Sequence, residues 1–508
     1  HIKLLASRGA HAKTREELIA NLNAVGSVHP DRLVWMDLNG KTYIDLARKM
    51  RSVMDEIDPQ IKLGLMTSAI PTHSVEGRDW SGLITALGGP ERAMVRPHGA
   101  QYAEVTSQGN VWSFANLSAT LNVLPKGTKS FFEVENAPMS RFAKSNQQTK
   151  MQMAFAVDAG CDGLTLDVLD FLGTGPASEP DMAKTLSESK TKLSAIRDLV
   201  AGTRQLGVRC LVPTDTCRQA PGRGIADIRE LPTANYGWFA TLSGFGYPCT
   251  SEPMPGQPDP AEVYALAGEA VWGLQDRELK IFLETCTVLL DADAAKIISD
   301  RGMANLIGLK GITRYERHAD LYTFEQHVDT PKNEIPERAS LNLCEKSFIH
   351  TYDLTLSAQT RTMIFDCFSR PVGTGCFTYR NPTGGRGLVL PHRIPCEFPF
   401  HVWSRKIWFD RWIEDLSGGV PVPRVVDAAW MYMSVHCGQG RRTIFLANQT
   451  FEVCTSVQLR LPEDFARATW RLELASRSQS GVVRAAGNTL PVDAELAGND
   501  WIVLASTS

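Results

Sequence analysis

Long apolar runs are missing from this sequence. None approaches the about 20 residues that a bilayer-spanning helix needs, so no membrane partner is expected. An excess of charge is missing too. Across 508 residues, 53 Lys+Arg face 56 Asp+Glu, for a net charge of -3. That balance gives no reason to expect nucleic acid or an anionic surface as a partner. The 11 cysteines are scattered and form no CxxC pair. Cys210 and Cys217 are too loosely spaced for a zinc knuckle. The cysteines read as free thiols in a reducing compartment, which favours a cytoplasmic location. No charged segment followed by an apolar one comes after His1, so no signal peptide is visible.

Several catalytic motifs are absent as well. There is no Walker-type phosphate loop, no GxGxxG after a strand, no HExxH and no GxSxG. Their absence argues against nucleotide-driven, zinc-hydrolase and serine-hydrolase chemistry. No metal or organic cofactor is called for. Carboxylates remain as the chemical currency, and two of them, suitably spaced, suffice to hydrolyse a glycoside.

What is present is an alternation. Thr14 three residues before Glu17 reads as a capping box. A helical pattern follows over 30–57, weak in its first part because Asn39-Gly40 is a turn signal. Strands are then expected at 61–68, 92–99, 129–136 and 162–170, with helices at 79–89, 109–123, 139–160 and 181–207 between and after them. Four such βα units fit half of a closed (β/α)8 barrel or an open doubly wound sheet, and periodicity leaves both open. A second, smaller α/β unit begins near 208. Beyond about 335, helices thin out and short strands end in an antiparallel sandwich pattern.

Within "SFFEVENAP", Glu133 and Glu135 alternate on an aromatic strand that Asn136 and Pro138 close. Residues two apart on a strand face the same way. If that side is a barrel interior, Glu135 sits at the carboxyl end, where such barrels place their active sites. Glu133 then lies one layer deeper and needs a partner, for which Arg96 is suited. Arg96 and His98 share a face near one strand end, and Asp167 is near another. Trp80 and Tyr102 follow strands, where an aromatic platform for a sugar ring could stand.

The order of these segments resembles the family 42 glycoside hydrolases, retaining enzymes of a large (β/α)8 clan. Val134-Glu135-Asn136-Ala137-Pro138 is similar to the setting of that family's nucleophile at the end of strand seven. The resemblance implies a β-galactosidase-like hydrolase with Glu135 as nucleophile, and Glu133, Arg96, His98, Asn136, Asp167 and Trp80 lining the sugar subsite. It also implies strands five to eight of a barrel over 1–207, a flavodoxin-like, trimerisation-type α/β domain over 208–335 and a β-rich region with a small sandwich over 336–508. The family's acid/base glutamate follows Asn at the end of strand four. No such Asn-Glu precedes these strands, and Asn333-Glu334 is out of place. The expectation is therefore the C-terminal half of a barrel, whose open edges pair with a missing N-terminal half or with a second copy. Carbohydrate is the expected substrate. The alternative is a glycan-binding or assembly protein that keeps the architecture without the catalysis.

Overall fold

The computed structural model describes all residues except 1, 90–92, 100, 106, 138–142, 170–174, 226, 255, 317–322, 329–336, 342–347, 395–399, 478–480 and 508. Pro138, Asn333 and Glu334 thus lie outside the described residues, as does the start of the helix expected from 139.

The first sheet answers the question that periodicity left open. Its strands are β1 (Gly64–Met66), β2 (Met94–Arg96), β3 (Lys129–Glu135) and β4 (Gly163–Asp167), all parallel and in the order β1-β2-β3-β4. A doubly wound sheet reverses its order at a switch point, whereas a barrel adds each strand beside the last. The order here is that of a barrel. Four strands close half of one, and among the described residues no further strand pairs with β1 or β4. The outer face is apolar and packed: Phe132 and Val134 are buried in the main core with Phe114, Ala154 and Phe155 of the crossover helices, and Val95 is buried in a smaller cluster with Leu83, Ile84 and Leu87. The inner face is more open, and Met66 there is 67% exposed.

Two local expectations change. The helix over Pro30–Ile57 is one unbroken element of 28 residues. Asn39-Gly40 makes no turn within it. Gly40 instead admits the backbone of Gly77, whose carbonyl oxygen would lie 2.5 Å from an added Cβ. The helix expected over 181–207 stops at Val200, and Arg204–Leu206 (β5) joins the C-terminal sheet against Val435–Cys437.

The second unit is built on β6 (Val208–Leu211), β7 (Cys249–Glu252), β8 (Val263–Leu266) and β9 (Thr287–Leu290). Read across the sheet, its parallel strands run β7-β6-β8-β9 and then Arg386–Val389. This is the flavodoxin order, 2-1-3-4-5. The fifth strand comes from beyond 335, so that position does not end the α/β sheet. Short antiparallel strands between Leu309 and Thr374 are inserted ahead of it. The chain ends in a sandwich of a six-stranded and a three-stranded antiparallel sheet. Its core includes Met433, Ile444, Leu459, Trp470, Leu490 and Ile502. No helix among the described residues is long and apolar enough to cross a membrane. The nine described cysteines are free, six of them buried.

Candidate active site

The two acids of β3 share the inner face, and their surroundings differ. Glu133 is 3% exposed. Its Oε1 lies 2.6 Å from Nη2 of Arg96. Its Oε2 accepts hydrogen bonds from the Tyr102 hydroxyl (2.7 Å) and the Gly99 N–H (3.1 Å) and lies 3.1 Å from Nδ1 of His98. Burial works against ionisation, yet His98, Tyr102, the Gly99 amide and Arg96 outweigh it and hold the carboxyl down to about 2. Gly99 has to be glycine: an added Cβ would fall 1.9 Å from the Glu133 carbonyl oxygen.

Glu135 is half-buried at the carboxyl end of β3. No described residue donates a hydrogen bond to its carboxylate. Its pKa is raised by burial and by the negative charges of Glu133 and Asp167, against which Arg96 and His98 act. Asp167 is its register partner on β4. Paired residues on adjacent strands lie about 4.8 Å apart and point to the same face. Asp167 is likewise raised, by burial and then by Glu133. Asn136 is buried, its N–H bonded to the Asp167 carbonyl (2.9 Å) and its Nδ2 to the Val168 carbonyl (3.2 Å). It ties β3 to β4 directly behind the two carboxylates.

The structure thus brings together Arg96, His98, Glu133, Glu135, Asn136 and Asp167. It does not bring Trp80. That indole is 5% exposed, edge-on to His73 at 5.7 Å and covered by the Arg78 guanidinium at 5.2 Å, so its faces are occupied by protein. Tyr102 is engaged through its hydroxyl with Glu133 and His98.

Sequence reasoning missed Lys144. It is 3% exposed, and its ammonium donates to the Glu135 carbonyl (2.8 Å) and to Gln152 Oε1 (2.7 Å). Gln152 in turn donates to the Gln101 carbonyl and to Asn110. Burial pulls the Lys144 pKa down to about 8, although Glu104 and Glu135 favour its charge. Only its position in the connection just after the strand-end acid hinted at a role. Trp112 was also missed; it is 38% exposed and its ring lies 6.1 Å from that of His98. Among the described residues no group of three His, Cys, Asp or Glu side chains is placed to hold a metal ion.

No protein-family model matches the chain, and no curated protein matches it by sequence. Solved structures do. Gan42B, a GH42 β-galactosidase from G. stearothermophilus, superposes with a TM-score of 0.61 over 100% of this chain and 74% of its own, at 12% identity. The β-galactosidase of Rahnella sp. R3 gives 0.58 over 93% and 69%, also at 12% identity. Alpha-L-fucosidase isoenzyme 2 from Paenibacillus thiaminolyticus gives 0.60 over 100% and 75%, again at 12%. The fold is GH42-like. At such identity the likeness concerns architecture alone.

Proposed function

We propose that this chain carries one side of the active site of a retaining, β-galactosidase-like glycoside hydrolase, with Glu135 as the nucleophile. The observation that carries the reading is the contrast between the two acids of β3. Glu133 is locked as an anion by its donors. Glu135, at the strand end, keeps its oxygens free of donors from described residues and ready for a bond to carbon. In this reading Glu135 attacks the anomeric carbon, the glycosidic C–O bond breaks, and water later releases the sugar from the ester with net retention. Arg96, His98 and Asp167 border the space that the sugar occupies.

A retaining enzyme needs a second carboxyl group about 5 Å from the first, to protonate the leaving oxygen and then activate water. On this reading that group is carried by strands that complete the barrel against β1 and β4. They belong to further βα units or to a second copy of the chain. The edges of β1 and β4, unpaired among the described residues, support this, as does the 69% to 75% of these neighbours' length that the chain spans. Association through the flavodoxin-order domain, with a trimer as one form, belongs to the same reading. A second reading, a glycan-binding or assembly protein, is favoured by one feature: the carboxylate nearest Glu135 in register, Asp167, stands beside it and not across a barrel.

The test is hydrolysis of an aryl β-galactoside by the protein and by Glu135→Gln. The variant loses turnover while its circular dichroism and melting stay unchanged. Near-normal turnover in the variant sinks the assignment, and a parent protein that binds galactoside yet is neither active nor labelled by 2-deoxy-2-fluoro-β-galactosyl fluoride, whose leaving group needs no proton donor, selects the second reading.

A further inference from the structure

Trp112 is the exposed member of an otherwise buried helix start: Asn110, Val111, Ser113 and Phe114 are all buried. Its helix, Asn110–Val123, follows β2, so its first turn lies at the carboxyl end of the half barrel, the end where Glu135 stands. The indole meets the rings of His98 (6.1 Å, 87°) and Tyr236 (5.6 Å, 80°) nearly at right angles, so neither lies flat against it. Both neighbours are fixed. The Tyr236 hydroxyl donates to Asn116 Oδ1 (2.7 Å), and Asn116 Nδ2 donates to the His98 carbonyl (3.2 Å). One imidazole therefore separates the indole from the Glu133 carboxylate.

A single exposed tryptophan needs no explanation. This one is held by a preorganised frame and adjoins a cluster of charged groups. We infer that Trp112 is the platform on which the pyranose ring of a bound glycoside stacks, in the place that Trp80 was expected to take. A pyranose presents a C–H face and a hydroxyl rim. An aromatic face attracts the partly positive C–H groups, while a few polar side chains orient the rim. His98, 25% exposed, stands against the indole, and Arg96, 31% exposed, shares the Glu133 carboxylate with it; these two, with Glu135 and Asp167 at the same strand ends, are the polar groups available to the rim. The inference rests on the reading of this site as carbohydrate-binding and not on catalysis by Glu135.

The test is calorimetric titration with isopropyl β-D-thiogalactopyranoside, whose sulfur linkage resists hydrolysis. The parent protein is compared with Trp112→Ala, Trp112→Phe and Trp80→Phe. Trp112→Ala weakens binding about tenfold, and Trp112→Phe, which keeps an aromatic face, stays within about threefold of the parent. Trp80→Phe binds as the parent does. Parent-like affinity in Trp112→Ala overturns the inference. So does equal loss in the Ala and Phe variants, and so does absence of binding to the parent protein. A Glu135→Gln variant that still hydrolyses aryl galactosides overturns the nucleophile assignment and leaves the Trp112 result standing.

Discussion

Arg96 and Glu133, on adjacent parallel strands, are joined by a 2.6 Å contact between Nη2 and Oε1 on the inner face of the half barrel. That contact explains how an apolar strand carries two acids. One is neutralised by a neighbour that the fold supplies, and the other is left for chemistry.

Removing the cation should expose the cost of the buried anion. Stripping one partner from a buried ion pair costs about 3–5 kcal/mol. Arg96 is partly exposed and three other donors remain, so Arg96→Met should lose about 2 kcal/mol in urea unfolding. The double variant Arg96→Met, Glu133→Gln should recover part of the loss. A double variant less stable than the single one contradicts the pairing.

The depressed pKa of Glu133 predicts an acid-sensitive stability. Its folded value of about 2 lies below the ordinary 4.5. The contribution is therefore complete above 4.5 and is lost as pH falls toward 2, amounting to about 3 kcal/mol. Unfolding free energies measured between pH 6 and 3 should fall less steeply in Glu133→Gln than in the parent protein. Parallel slopes exclude Glu133 as the source.

Lys144 gives the same sign in a higher pH window. Its folded value of about 8 lies below the ordinary 10.5, so the folded state resists the charged form. Stability should rise with pH between 8 and 10.5, where the unfolded chain binds the extra proton. In denaturation at pH 7.5, 9 and 10, the parent should gain on Lys144→Met as pH increases. A constant difference would mean that Lys144 titrates normally.

Gly99→Ala should be poorly tolerated. The new methyl collides with the carbonyl of Glu133, a backbone atom that cannot swing aside. Overpacking of this kind costs about 1–3 kcal/mol. The variant should also lose the Gly99 N–H bond to Glu133, which raises the pH at which the acid limb begins. A variant as stable as the parent at both pH 7 and pH 4 contradicts the close approach.

Much of this was legible in the sequence because it is local. The alternation of strands and helices, the shared face of Glu133 and Glu135, and the suitability of Arg96 as a partner all follow from short-range spacing. What was not legible depends on distant contacts. Asn39-Gly40 looks like a turn until Gly77 packs against it. The fifth strand of the flavodoxin-order sheet, Arg386–Val389, follows an insertion that hides it from β9. Barrel and doubly wound sheets share one periodicity and differ only in strand order. Trp80 and Trp112 both follow strands, and only packing decides which indole is buried. Lys144 carries no motif, and its role comes from the contact of its ammonium with the Glu135 carbonyl.

The central claim is that Glu135 is the group that bonds to the sugar. The most direct measurement is incubation of the protein with 2-deoxy-2-fluoro-β-galactosyl fluoride, followed by intact-mass and peptide mass spectrometry. Fluoride leaves without a proton donor, so the test does not depend on the second carboxyl group. The account predicts a single added fluorogalactosyl unit on the peptide containing Glu135, absent from Glu135→Gln. A label on another carboxylate, or a protein that stays unlabelled while it hydrolyses aryl galactosides, would contradict it.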